Sequence, residues 1–255
     1  MKTKILFFAF LFFSFSTSHA QQFISKARIE YEVKANIKKT MGNNSFEEML
    51  KDNLPTFKTG YYILTFADNK SIYKFDHWDD KAKVPDFLKK SDEENVWYFD
   101  YNTGKFNMQK NVWGSNLNVE DSIKNFEWKL TNENRVIAGF NCRKAVAKIF
   151  DSVYVFAFYT NEITIPGGPC SINGLPGMIM GITIPRLFTS WIATRVMLNG
   201  VDASLIKPVS TKKSYSMKNL KASLDDHTKD WYSDDAEENK EIIQQKARFE
   251  WETML

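Results

Sequence analysis

Two cysteines, three histidines and scattered carboxylates are the residues in this 255-residue chain whose types could do chemistry. No histidines stand at the HxxxH or HExxH spacing that sets metal ligands on one helix face. His77 lies in the run Asp76-His77-Trp78-Asp79-Asp80, and His227 follows Asp225-Asp226, so each has oxygens close by in sequence. Such runs are ordinarily solvated: the first reads as a loop, the second as the outer face of a helix. Asp234-Asp235 and Glu237-Glu238 read as the acidic start of a helix, where the helix dipole favours negative charge. No metal and no cofactor is expected.

Cys142 and Cys170 leave three readings open. They could form a disulfide, whose 28-residue separation would stabilise the fold by about 3.5 kcal/mol on loop-entropy grounds. Cys142 could instead pack as a buried thiol within a strand. Cys170, beside Gly167, Gly168 and Pro169, could be an exposed nucleophile needing a base such as His77 or His227. The chain has no Gly-x-Ser-x-Gly elbow, and its glycine-rich stretch lacks a phosphate-binding pattern.

That glycine-rich stretch, residues 167–184, organises the rest. Asn173-Gly174 is a strong hairpin dipeptide, because both residues tolerate positive φ. Leu175-Pro176-Gly177-Met178 fits a type II turn, with Pro at the second position and Gly at the third. The strand that follows sorts by period two, with Met178, Met180, Ile182 and Ile184 opposed to Ile179, Gly181 and Thr183. A glycine inside a strand marks a bulge or a close backbone approach. The corner Gly174, Leu175, Pro176, Gly177 is expected to shape the fold rather than bind a ligand.

The run Gly174-Leu175-Pro176-Gly177-Met178-Ile179 resembles the signature of the GLPGLI family of secreted Bacteroidetes proteins, with Met178 in place of the usual Leu. Trp128-Lys129-Leu130-Thr131-Asn132-Glu133, Gly139-Phe140-Asn141-Cys142-Arg143-Lys144-Ala145 and Phe158-Tyr159-Thr160-Asn161-Glu162-Ile163 resemble that family too. The resemblance covers residues 128–200 closely and the flanks loosely. It departs at Cys170 and at Ile184-Pro185-Arg186-Leu187. It implies secretion and brings no reaction with it.

Residues 1–20 read as a signal peptide. Lys2 and Lys4 form a basic start, Ile5 to Phe13 an apolar run too short to span a bilayer, and Ser18-His19-Ala20 a small-x-Ala cleavage site. No cysteine adjoins the cut, so no lipid anchor is expected there, and no later apolar run is long enough to cross a membrane. The expected location is periplasmic or secreted. Removing Lys2 and Lys4 from 34 basic residues leaves 32 against 31 acidic, a net charge of +1. That near-neutrality gives no electrostatic reason for a nucleic-acid partner. Aromatic residues make up 15% of the chain and favour pleated surfaces, so composition leans towards β.

Along the chain, residues 23–37 read as a first strand, Ala27, Ile29, Tyr31 and Val33 alternating with Arg28, Glu30, Glu32 and Lys34. Residues 45–54 read as a short helix with a capping box at Ser45-Phe46-Glu47-Glu48, a stripe of Phe46, Met49 and Leu50, and a stop at Pro55. Strands at 61–66 and 71–75 form a hairpin across Ala67-Asp68-Asn69-Lys70. Residues 76–95 read as a long loop or a lid. Strands at 96–101 and 105–109 form another hairpin turning at Asn102-Thr103-Gly104, with 111–117 continuing it. Further strands fall at 128–131, 134–137, 142–150, 152–160 and 189–197. The 152–160 strand, apolar on both faces from Val153 to Tyr159, reads as central. Asn199-Gly200 is a second hairpin dipeptide. From Ser216 the chain is charged, and Met217, Leu220 and Leu224, then Ile242, Lys246 and Phe249, stand at helical spacing with Ile243, Ala247 and Trp251 close to it.

The pattern predicts a single domain over residues 21–255, mainly β with C-terminal helices (α+β): a curved antiparallel sheet, or open half-barrel, covered by helices over 216–255. For function it predicts a non-catalytic binding module holding an apolar ligand or a peptide in a sheet-lined groove. Two alternatives stand beside it. One is a partner of outer-membrane machinery that binds through a sheet edge; the other is a hydrolase or thiol-dependent enzyme using Cys170.

Overall fold

The computed structural model describes residues 23–255 except 43–44, 82, 113, 151, 211–212 and 230–239. The expected signal peptide and the acidic run at 234–238 lie outside the described residues, as do the side chains of Ser45 and Phe46. The protein is mainly β. Eleven antiparallel strands form one sheet that does not close, in the order β6-β5-β4-β3-β2-β1-β11-β10-β9-β8-β7. Two meanders make it up. The first runs β1 (Ala27–Asn36), β2 (Phe57–Ala67), β3 (Lys70–Trp78), β4 (Val96–Asp100), β5 (Lys105–Val112) and β6 (Ser115–Ser122). The second runs β7 (Lys129–Ile137), β8 (Phe140–Ile149), β9 (Val153–Thr160), β10 (Met178–Ile184) and β11 (Thr189–Met197). They join where β1 pairs with β11. No helix of the described residues is long and apolar enough to cross a membrane.

Local signals account for many of these elements. Ala27, Ile29 and Tyr31 are fully buried and their alternate neighbours are not, which gives β1 one core face. Asp68 and Asn69 both take positive φ (53° and 57°), so the β2–β3 hairpin closes through a two-residue turn of the I′ kind. The expected short helix is α2 (Ser45–Asn53), although Met49 of its proposed stripe is 59% exposed. One-turn helices α1 (Ile37–Thr40) and α3 (Lys90–Glu93) flank β2 and β4. The C-terminal region forms α4 (Met217–Thr228) and α5 (Lys240–Met254). Ser216 caps α4 by accepting from the Asn219 amide, and Leu220 and Leu224 point into the core.

One expectation holds: residues 111–117 continue the hairpin, with β5 ending at Val112 and β6 starting at Ser115. Others are corrected. β7 runs unbroken through 129–137, and its irregularity is a register shift between Leu130 and Asn134. Asn199-Gly200 makes no hairpin, since 198–216 run on to a bridge between Tyr215 and Val119 on β6. β9 is not apolar-buried on both faces, because Tyr154 is 54% exposed.

Bulges bend the sheet. Register shifts occur at Glu30/Tyr31, at Tyr61/Tyr62 and at Ile179/Gly181, and each adds local twist. The last fulfils the expectation attached to Gly181. Ile137 of β7 shows how far the bending goes. A Cβ on Gly181 of β10, three strands away, would lie 3.1 Å from the Ile137 Cδ1. Three strands of a flat sheet span about 14 Å, so this end of the sheet is rolled.

The β9–β10 connection, residues 161–177, runs inside the concave side and not over the surface. Ile163, Ile165, Ile172 and Leu175 are at most 4% exposed. A buried irregular segment must satisfy its peptide groups without strand neighbours. Gly174 N–H donates to Pro166 O, Met178 N–H to Ile163 O, Ile179 N–H to Gly167 O, and Ser171 N–H to Leu255 O. Among side chains, the Trp128 indole donates to Asn173 O (2.9 Å), and just beyond the segment, on β10, the Tyr31 hydroxyl donates to Ile179 O (2.7 Å).

Two turn assignments therefore change. Asn173-Gly174 is no hairpin: Asn173 is buried, donates to Ser171 O, and only Gly174 has positive φ (88°). Leu175 to Met178 is not a type II turn, because the Gly177 amide closes back on Leu175 O at 2.8 Å, an i to i+2 bond, while Met178 N–H goes to Ile163. Gly177 has φ 142°, and a Cβ there would stand 2.1 Å from Thr160 O.

Substituting Gly177→Ala should thus destabilise the fold by about 3 kcal/mol or more, from backbone clash added to strain. Gly200→Ala, at φ 73° with nothing within 4 Å of the new Cβ, should cost about 1 kcal/mol. Urea unfolding of the two variants checks the contrast, and equal losses would contradict it.

Candidate functional site

A cleft opens on the concave side between β2–β5, β11 and α5. Its inner part encloses about 190 Å³, walled by Tyr62, Tyr73, Trp78, Trp97, Leu187 and Trp191. Its outer part, about 880 Å³, lies between residues 86–94, β5 and α5 and is lined largely by charged side chains.

Strand register assembles the aromatic wall. Tyr62 and Phe75 are paired across β2 and β3, and Tyr73 faces Trp97 across β3 and β4. The Tyr62 and Tyr73 rings stack 5.2 Å apart, and Tyr73 leans on Trp97 at 5.4 Å. The Trp97 indole N–H donates to Leu255 O at 2.6 Å, so the end of α5 is fastened over the inner pocket. Leu255 is 4% exposed.

Residues 76–95, expected to be a loop or a lid, form the opposite rim. β3 continues to Trp78, then a 3-10 turn (Asp86–Leu88) and α3 follow. Lys58 on β2 holds this rim, with its ammonium 2.9 Å from Asp92 and donating to Leu88 O at 3.1 Å. The Trp78 indole donates to Glu93 at 2.6 Å. Asn95 accepts from the Asn111 amide at 2.8 Å, tying the rim to β5.

Charges on the cleft are shifted chiefly by burial. Lys110, held 5.0 Å over the Trp97 ring, has its ammonium pKa lowered by desolvation, with Asp92 and Glu252 acting against that shift. Glu252 is open to the cleft along one side, yet protein crowds its carboxyl on the others. Desolvation raises its pKa, against the pull of Lys110, Lys58 and Arg248. The Tyr73 hydroxyl is pushed well up by burial.

The cysteines are both free and both buried, which removes the disulfide reading. Cys142 sits on β8 with its thiol on Phe140 O, while Cys170 faces the cleft beside Trp191. Cys142 is therefore the buried strand thiol. Cys170 lines the inner pocket at φ 55°, a left-handed conformation unusual for a side-chain-bearing residue. It is 6% exposed, and burial raises its pKa to about 12, against a smaller lowering by Lys110. Neither histidine lines the cleft. His77 stacks on Tyr61 (4.6 Å) and contacts Asp76, and His227 lies near the end of α4. Among the described residues no group of three or more His, Cys, Asp or Glu could hold a metal.

The corner residues Gly174, Leu175 and Pro176 border a separate shallow hollow with Tyr101 and Asn125, and Gly177 packs on Thr160. Sequence reasoning thus found Cys170 but missed Tyr73, Trp97, Lys110 and Glu252. The aromatic alternation of β3 and β4 was visible; which strands faced each other was not. Of the sheet edges, β6 is bridged by Tyr215, and β7 carries a register shift and the charged pair Glu133 and Arg135. Such features oppose edge-to-edge pairing.

The fold and cleft define a mainly β protein with an aromatic-walled pocket under a C-terminal helix. No protein-family model matches the chain, and no curated protein matches it. Among solved structures, PNGF-II in a P21 crystal is similar at TM-score 0.51 and 15% identity, over 78% of this chain and 33% of that one. PNGF-II in a C2 crystal gives 0.48 and 15% over 75% and 30%. An uncharacterized conserved protein from Thermus thermophilus gives 0.37 and 8% over 74% and 88%. The chain spans about a third of the length of PNGF-II, and the likeness is one of fold.

Both thiols ionise near pH 9.0 when free of the fold and near 12 within it. The folded state keeps their protons longer. Their stabilising contribution is therefore full below pH 9 and is lost as pH rises towards 12. At pH 8 an aromatic disulfide reagent should label neither cysteine in the native protein and both in urea. Labelling of Cys170 without denaturant would contradict its burial.

Proposed function

We propose that this chain is a secreted or periplasmic protein of the GLPGLI type, whose open half-barrel holds an apolar or extended ligand without transforming it. The observation that carries this reading is the inner pocket, where five aromatic rings line a space that the fold leaves open. An enclosed, largely apolar cavity with a few convergent polar groups is the usual form of a small-molecule site. The leader-like residues 1–20 support the location, and the run 174–179 supports the family. The thiol-enzyme reading lacks the histidine it called for, since neither His77 nor His227 lines the pocket with Cys170. The edge-binding reading meets a bridged β6 and a charged, bulged β7.

Native mass spectrometry of protein purified from its own host is the direct test. A retained small molecule, lost after Trp97→Ala or Trp191→Ala, is the expected result. A co-purifying membrane protein would favour the edge-binding reading instead. A bare chain that also fails to take up an anilinonaphthalene dye would defeat the proposal.

A further inference from the structure

Asp92, Asn95, Lys110 and Glu252 line both parts of the cleft, and so mark the seam between the aromatic pocket and the charged vestibule. Two donors here are not used by the fold. The Lys110 ammonium rests over Trp97 and makes no hydrogen bond or ion pair among the described residues. The Tyr73 hydroxyl has no hydrogen-bond partner there either, on a side chain 1% exposed that lines the inner pocket. An unsatisfied buried hydroxyl is costly, and a ligand acceptor would remove that cost. One ring, Trp97, contacts both the Tyr73 ring (5.4 Å) and the Lys110 ammonium (5.0 Å).

The charge count narrows what fits. Lys58 is already paired with Asp92 at 2.9 Å, and Lys110 feels Asp92 and Glu252 only at a distance. One added negative charge is the most this seam accommodates, which disfavours a phosphate dianion. Two donors match the two oxygens of a carboxylate. Resting on the binding reading above, we propose that the cleft takes an organic monocarboxylate. Its carboxylate meets Lys110 and the Tyr73 hydroxyl, and its apolar body lies against Trp78, Trp97 and Trp191. Burial raises the pKa of the Glu252 carboxyl, against the pull of Lys110, Lys58 and Arg248.

The test uses octanoate, octanol and octyltrimethylammonium as probes of equal tail length, titrated by calorimetry into the protein and into Lys110→Met and Tyr73→Phe. Circular dichroism melts show that each variant is folded. Octanoate should bind the unaltered protein at least about 10-fold more tightly than the other two, the scale of a charge-assisted hydrogen bond. Lys110→Met should remove about that factor, and Tyr73→Phe roughly 3-fold to 10-fold for one neutral hydrogen bond, with octanol unchanged in both. Octanol binding as tightly as octanoate, or octanoate binding that neither variant alters, overturns the carboxylate inference while the binding reading stands. Binding of none of the three overturns it too, and dye uptake or a retained native ligand then separates that failure from failure of the binding reading itself.

Discussion

The structure depends on one costly arrangement: a seventeen-residue irregular segment, residues 161–177, is placed where a sheet would normally bury side chains. Peptide groups taken out of water without partners are expensive. The neighbours of this segment are arranged to supply them. Trp128 sends an indole from the start of β7 and Leu255 a carbonyl from the end of α5, while Tyr31 of β1 holds the strand that follows through Ile179 O. The glycines follow from the same crowding. At Gly168 a Cβ would lie 2.7 Å from Ile172 O, and at Gly167 2.8 Å from the Tyr101 hydroxyl. The residues that look like surface punctuation are interior packing residues.

The cleft is what this arrangement leaves over. The segment fills the concavity on the β7–β11 side, and Cys170 is where it reaches the first meander. Beyond that point the curved wall of β2–β5 has aromatic rings that, among the described residues, the end of α5 covers in part. The rim from Asp86 to Glu94 leans in from the other side, secured by Lys58 and Trp78. Apolar wall, polar seam and charged mouth thus follow one another from the inside out.

Much of the sheet was legible because its signals are local. Alternation in β1, the Asp68-Asn69 turn, the span 189–197 of β11 and the spacing of Leu220 and Leu224 each depend on a few neighbouring residues. The corner misled for the opposite reason. Asn173-Gly174 and Leu175-Pro176-Gly177 carry the chemistry of exposed turns, and only distant atoms, Thr160 O and Trp128 among them, select other conformations. The candidate site was illegible for the same cause. Lys110 sits in a strand that reads as half-polar, and Glu252 in a helix that reads as charged. Their meeting depends on the register of β3, β4 and β5 and on where α5 ends. The cysteine pair could not be settled by loop length, since the two thiols turn to different neighbours.

The pairing of β1 with β11 has a consequence for how the chain reaches this state. Within each meander, strands pair with their neighbours in sequence, and such contacts form earlier and more cheaply. Their union does not: Glu30 finds Arg195, 165 positions further along the chain, only after everything between them has been placed. Loop closure over that distance slows folding. Until it happens β1 presents a bare edge to which another copy can add. The order of synthesis makes that wait unavoidable, because the strand that seals the edge is the last of the eleven to be made. Assembly of this protein is therefore a race between its own final strand and its neighbours, and anything that shelters the first half of the chain decides the yield.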